Sequence, residues 1–399
     1  MTRVLVPWEQ YFNVEGGTMK ATLGDLYSPW FGTRALLLAG KNPYGAEVTH
    51  EIQLAFYGRD IVQQNEQRIR PVDEQRFAYP VYVVFLLAPV ARVGFGPLHA
   101  AAPLVLALAV LVSVRLWMMV LRWRPPEWLF WAAAFFVLAS PQIDQGLRLR
   151  QLGLIVSCLL ALAFWLVLRN KLVLSGTVLA LASVKPQMIL LPLMWLLLWT
   201  IGDLRQRWRL PAAFTGTLVL LVGLGEVILP GWLRDFFGGL HAYRKYGPVR
   251  TLLQVVFGST AGIVIAALLM AAVLSWGWMQ RKHTADSEEF PLTLSAFVLV
   301  AAVALPLMTP FNQVLIILPL LMILRDWSRL PLVGRAAFVV CAAWPSVTSL
   351  VLFLWRVPLK SLRPVPLLPS ALELFFPVLL ILLLMTTRSS IPLLQNRSR

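Results

Sequence analysis

"GTVLALASVKPQMILLPLMW", residues 176–195, sets one cation, Lys185, and a proline, Pro186, inside an otherwise apolar run. With its flanks the run spans 171–202, between a basic cluster at Arg169/Lys171 and another at Arg205/Arg207/Arg209. One helix of that span would be about 48 Å long at 1.5 Å per residue, well beyond a hydrocarbon core of about 30 Å. It would also put the two clusters on opposite sides of a membrane. The residue before a proline is biased out of the helical region, so two short segments meeting at Lys185-Pro186 are expected. Lys185 then tips a hairpin facing the exterior.

Composition sets the solvent. The chain of 399 residues is 58% hydrophobic and only 14% charged, with 16 Trp and a mean hydropathy of +0.72. Those values belong to an integral, multi-pass membrane protein, not a soluble domain. About ten or eleven apolar segments follow residue 79, among them 100–121, 127–140, 151–168, 172–184, 187–202, 210–229, 252–278, 291–307, 311–324, 335–355 and 368–386. Helices satisfy their own backbone in lipid, and the alternation of a membrane β-barrel is missing. The fold class is therefore all-α, a polytopic transmembrane helical bundle. Cys158 and Cys341 both lie in apolar segments, so neither a disulfide framework nor a cysteine metal site is suggested. Residues 1–24 hold no apolar core of signal-peptide length.

The net charge of +16 is unevenly placed. Residues 1–78 carry eight Lys/Arg against nine Asp/Glu and read as a water-facing N-terminal segment. Residues 79–388 form the bundle, and 389–399 a basic cytoplasmic tail. Arg122/Arg124, Arg169/Lys171, Arg205/Arg207/Arg209, Arg281/Lys282 and Arg325/Arg329/Arg335 fall in alternate connections, which marks those as cytoplasmic. No nucleic-acid partner is needed to account for the charge. Within the bundle, Tyr79–Val90 is short and bracketed by prolines, as in a re-entrant or interfacial helix.

The same sorting puts four polar stretches outside: 140–153, 231–250, 309–313 and the Lys185 tip. They hold Arg148, Arg150, Gln151, His241, Arg244, Lys245 and Asn312. Lipid headgroups attract basic flanks, and Lys185 alone could snorkel to them. An ionisable residue inside a membrane segment otherwise marks a functional site, and a phosphate is the natural partner. Asp25 opens an apolar stretch ending at Gly40, so it could simply cap a helix.

In order along the chain stand Asp25 and Tyr27, an Ala/Leu-rich turn into "GKNPYG" (40–45), "FAYP" (77–80), a glutamine-bearing loop "DQGLRLRQLG" (144–153) and "KP" (185–186). This pattern resembles glycosyltransferase family 87, polytopic enzymes of GT-C type that use polyprenyl-phosphate-linked sugars. The resemblance implies an active site at the outer face, built on an external first loop. A hexose, on this likeness mannose, would pass from a lipid phosphate to a lipid or glycan acceptor with inversion. It also implies a bacterial plasma membrane. Asp25 matches the family's acidic position in the first outer loop and would be the base that takes the acceptor's proton. Lys185, with Arg148 and Arg150, would stabilise charge on the phosphate oxygens. Asn42, Tyr79, Gln151, His241, Arg244, Lys245 and Asn312 would complete the substrate site. A phosphate leaving group does not strictly require a metal, no His/Asp/Glu cluster has ligand spacing, and no cofactor is implied. A transporter or flippase for a lipid-linked saccharide would use the same cations without chemistry, but no paired discontinuous segments in two related halves are visible.

Overall fold

Apolar runs punctuated by proline and glycine fold here as helices of unequal length. The computed structural model describes residues 23–57, 75–243, 250–305, 310–340, 342–343 and 346–347. In chain order the helices are α1 (Tyr27–Ala39), α2 (Ala46–Tyr57), α3 (Val83–Leu87), α4 (Phe95–Val120), α5 (Glu127–Leu138) and α6 (Pro141–Arg148). They continue as α7 (Gly153–Leu168), α8 (Leu172–Ala182), α9 (Pro186–Gly202), α10 (Leu204–Arg207), α11 (Arg209–Ile228) and α12 (Trp232–Tyr243). The last are α13 (Leu252–Phe257), α14 (Ser259–Gln280), α15 (Glu289–Ala304) and α16 (Ile317–Arg325), the last preceded by a 3-10 segment at Pro310–Ile316. There is no strand among the described residues, so the expected all-α bundle is what forms.

Apolar runs outnumber the helices of spanning length among the described residues. Only α4, α11 and α14 are long and apolar enough to cross a membrane among the described residues, and α6 with α7 qualifies only as a pair bent by 118°. The runs at α5, α8, α9 and α15 yield helices of 12, 11, 17 and 16 residues. At 1.5 Å per residue even α9 is about 25 Å long, short of a full core. Of the other expected segments, 335–355 lies partly and 368–386 wholly outside the described residues, as does the 389–399 tail.

The chain divides into two units. The first gathers residues 1–108, 146–152 and 216–249, and the second 109–145, 153–215 and 250–399. In the first, Ile52, Phe56, Phe77, Val81 and Val83 are buried to within 1%. Tyr27 meets Phe31, Phe56 and Phe95 at ring separations of 4.9 to 5.7 Å. Gly32 lies so close to Phe77 that a Cβ there would fall 2.3 Å from the ring.

In the second unit, Trp195, Phe290, Phe297 and Phe164 form a fully buried aromatic core. Ser175 donates to the Ala163 carbonyl at 2.9 Å, tying α8 to α7. The connections read as cytoplasmic meet in two clusters joined by residues 283–288. Arg207 is buried, lies 3.9 Å over the Trp199 ring and donates to the carbonyls of Trp199, Arg281 and His283 at 2.6, 3.0 and 3.2 Å. Arg325 donates to the Leu121 carbonyl at 3.0 Å and pairs with Glu288 at 2.7 Å, which also meets Arg122 at 3.5 Å. At the other end of α9, Lys185 precedes Pro186.

Candidate functional site

Two polar centres emerge, one in each unit. In the first unit, the segment ahead of α1 lies against the bend between α6 and α7. Gly24 has φ +65°, and a Cβ built on it would stand 2.8 Å from the Leu149 carbonyl oxygen. Only glycine allows both that backbone and that approach. Asp25 donates its backbone N–H to the same oxygen at 2.7 Å. Its side-chain Oδ2 accepts a hydrogen bond from Gln151 Nε2. The N-cap of α1 is Leu26, one residue beyond Asp25.

Residue 25 thus touches residue 149, which stands between Arg148 and Arg150. Both arginines are half-buried, whereas Gln151 is buried. Arg150 adopts φ +53° and turns its Nη1 to the Arg148 carbonyl, and its buried Nε has no hydrogen-bond partner. Burial pushes the Arg150 guanidinium below its usual value. A desolvated guanidinium beside a loop backbone suits an anion.

Tyr79 joins this centre electrostatically. Burial first, and the Asp25 carboxylate second, hold its phenol above the usual range. Its backbone carbonyl accepts from the Tyr44 hydroxyl at 2.7 Å. Asn42 forms a turn in which its Oδ1 accepts from the Tyr44 N–H at 2.9 Å, and its Nδ2 donates to Asp235 Oδ2 at 2.7 Å. The Asn42 carboxamide is therefore engaged on both sides. Asp235 went unmarked in the sequence, although it is the one acidic residue of the basic stretch 231–250. His241 lies exposed in the last turn of α12, while Arg244 and Lys245 fall outside the described residues.

The second centre surrounds Lys185. Its side chain is turned into the protein, not exposed as on a snorkelling lysine: the residue is 7% exposed and its ammonium lies 5.2 Å from the Phe311 ring centroid. The chain does break at this point, with Lys185 at φ −124° and ψ 78° between α8 and α9. Gly153, first residue of α7, approaches so closely that a Cβ there would lie 3.4 Å from Lys185 Nζ and 3.7 Å from Asn312 Oδ1. The N-termini of α7 and α9 thus begin beside one buried ammonium, a polarity that favours anions. Asn312 is itself buried, and the next residue, Gln313, accepts from Gln142 Nε2 at 3.2 Å. Gln142 and Gln313 carry no periodicity or spacing that could have singled them out.

Among the described residues no three of His, Cys, Asp and Glu converge as metal ligands would. The sequence profile of glycosyltransferase family 87 matches residues 77–306, more than half of the chain. That match takes in Tyr79, Arg148, Arg150, Gln151, Lys185 and Asp235, and begins after Asp25 and Asn42. No curated protein matches the chain.

Proposed function

This chain belongs to glycosyltransferase family 87, and we propose that this membrane glycosyltransferase moves a hexose, mannose by family likeness, from a polyprenyl-phosphate donor to a hydroxyl of a lipid or glycan acceptor. One observation carries the residue assignment. Asp25, a carboxylate clasped by Gln151, is bound by its backbone to a loop that bears two arginines. A base and anion-binding groups are what this transfer asks for.

In the proposed step, Asp25 accepts the proton of the acceptor hydroxyl as that oxygen attacks the anomeric carbon from the face opposite the phosphate. The bond from the anomeric carbon to the phosphate oxygen breaks, and its electron pair leaves with the phosphate. The configuration inverts. Gln151 fixes the carboxylate's rotation, so that one orientation of its lone pairs faces the acceptor. Arg148 and Arg150 bind the phosphate oxygens as charge develops on them. Tyr79 stands beside Asp25 as a neutral donor. Lys185 is assigned to anion binding at its own end of the second unit. The chemistry is assigned to protein groups without a metal, at the outer face of a bacterial plasma membrane. Family membership favours this enzyme over a flippase using the same cations.

The test is transfer of radiolabelled mannose from a polyprenyl-phosphate donor to membrane lipid extract by purified protein, beside Asp25→Asn, Arg150→Ala and Lys185→Ala. Asp25→Asn is expected to abolish transfer while donor binding persists. Arg150→Ala and Lys185→Ala are expected to weaken donor binding. Wild-type transfer equalled by Asp25→Asn would remove the base assignment. A donor with another hexose, used in preference, would overturn the choice of mannose alone.

A further inference from the structure

Helix α12 follows α11, which is long and apolar enough to cross a membrane, after a three-residue turn, Leu229-Pro230-Gly231. Gly231 has φ +79°, and its N–H donates to Glu226 Oε1 at 2.6 Å, which makes the turn tight. With 12 residues, α12 is about 18 Å long and cannot cross a core of about 30 Å.

Its side chains divide into three faces. Trp232, Asp235, Phe236 and Gly239, at i, i+3, i+4 and i+7, pack inward. Trp232 meets Tyr82 edge-on at 6.0 Å, Phe236 meets Tyr44 at 6.2 Å, and the Gly239 carbonyl accepts from Arg76 at 3.5 Å. Leu233, Phe237 and Leu240 are 40%, 63% and 37% exposed. At about 100° per residue they form one stripe, roughly a third of a turn from the packed face. Arg234 and His241, both exposed, lie about a quarter-turn further on. On the preceding α11, Val219, Leu220 and Val227 are likewise exposed, by 59 to 80%.

From this we infer that α12 lies in the plane of the membrane surface, with Leu233, Phe237 and Leu240 among the upper acyl chains, and that through Asp235 it holds the 40–45 turn that carries the Tyr44 hydroxyl to Tyr79. The partner is the lipid surface itself. A short helix with a narrow apolar stripe beside a basic edge seats at the headgroup boundary. Its packed face reaches the candidate active centre by hydrogen bonds, from Asp235 to Asn42, through the Asn42 turn to Tyr44, and from Tyr44 to the carbonyl of Tyr79. Asp235 is thus a positioning residue. Its bond to Asn42 fixes the 40–45 turn against the helix. The Asp235 role rests on the assignment of Asp25 as the base; the seating of α12 does not.

The experiment separates the two parts. With Cys158→Ala and Cys341→Ala as background, Phe237→Cys and, in separate protein, Leu240→Cys and His241→Cys are labelled with bimane and reconstituted into phosphatidylcholine vesicles. The first two labels should be quenched more by lipids brominated near the glycerol end of the chain than by lipids brominated near its tip, and shielded from aqueous iodide. The label at position 241 should remain open to iodide. Iodide quenching of all three, or strongest quenching by tip bromines, overturns the in-plane seating whether or not the protein transfers sugar. For the coupling, Asp235→Ala should lower kcat of transfer about tenfold or more with the donor KM within about twofold. Asp235→Asn, which can still accept from Asn42, should restore most of it. Equal rates for wild type and Asp235→Ala, or equal losses in the two variants, overturn the positioning role.

Discussion

Replacing Gly24 by alanine probes the contact on which the candidate active centre depends, and Gly40 supplies a matched control. Both glycines are left-handed, at φ +65° and +64°, but a Cβ at Gly40 meets nothing within 4 Å whereas one at Gly24 would stand 2.8 Å from the Leu149 carbonyl. Left-handed backbone costs an L-residue about 1–2 kcal/mol, offset by about 0.4–1 kcal/mol because alanine restricts the unfolded chain. Gly40→Ala should therefore destabilise by about 1 kcal/mol or less. Gly24→Ala carries the same term plus an overlap with backbone, which cannot rotate away. Relieving it means separating residues 24–25 from 149–150, at the expense of the Asp25 N–H to Leu149 bond, about 0.5–1.5 kcal/mol, and of local packing, about 1–3 kcal/mol. The total is about 2–5 kcal/mol, and Asp25 is displaced with its backbone. A shift approaching 1 Å at a catalytic group costs about 100-fold in rate. The assays are the thermal midpoint in mild detergent and the transfer rate in vesicles. Gly24→Ala should lose rate by far more than Gly40→Ala. Equal rates in the two variants would refute the idea that residues 24 and 149 must touch for turnover.

Gln151→Leu keeps the side-chain volume but removes the donor to Asp25, and should reduce kcat about tenfold or more while leaving donor binding intact, as read by single-turnover kinetics. Arg207→Leu deprives three carbonyls of their donor and should lower stability by about 2–4 kcal/mol, measured as a fall in thermal midpoint without a change in donor affinity. Burial holds the Tyr44 and Tyr79 phenols above the usual tyrosine range. Above about pH 10 the unfolded chain therefore releases protons that the folded chain keeps, and stability falls as pH rises further. Denaturation midpoints should be flat on the alkaline side up to about pH 10 as far as these phenols are concerned, and Tyr44→Phe should soften the decline beyond it.

The helical class was plain in the sequence because lipid leaves so few alternatives, and the break at Lys185-Pro186 followed from proline sterics alone. The number of crossings was less legible. Runs such as 127–138 and 172–182 have the hydropathy of a span but not its length, and where a helix stops depends on packing around it. The direction of Lys185 was equally hidden: a lysine between two apolar runs can reach for headgroups or turn inward, and the Phe311 ring that receives it is distant in sequence. Asp25 and Gln151 could be picked out separately, but the bond between them closes a loop of 126 residues, which no local pattern encodes. Asp235 escaped notice because a lone carboxylate among basic residues looks like ordinary surface charge until Asn42 is seen against it.

Arg207 has a mechanical consequence. By gripping the carbonyls of Trp199, Arg281 and His283, it welds the α9–α10 corner to the connection between α14 and α15 at one end of the second unit. The Lys185 end of α9 lies 17 residues away, a lever arm of about 25 Å. A tilt of about 2° around that weld would swing the far tip by about 1 Å, enough to make or break a hydrogen bond to Lys185 while hardly disturbing the fulcrum. Any rotation of α9 about this weld is thus amplified at the end where the buried cation sits.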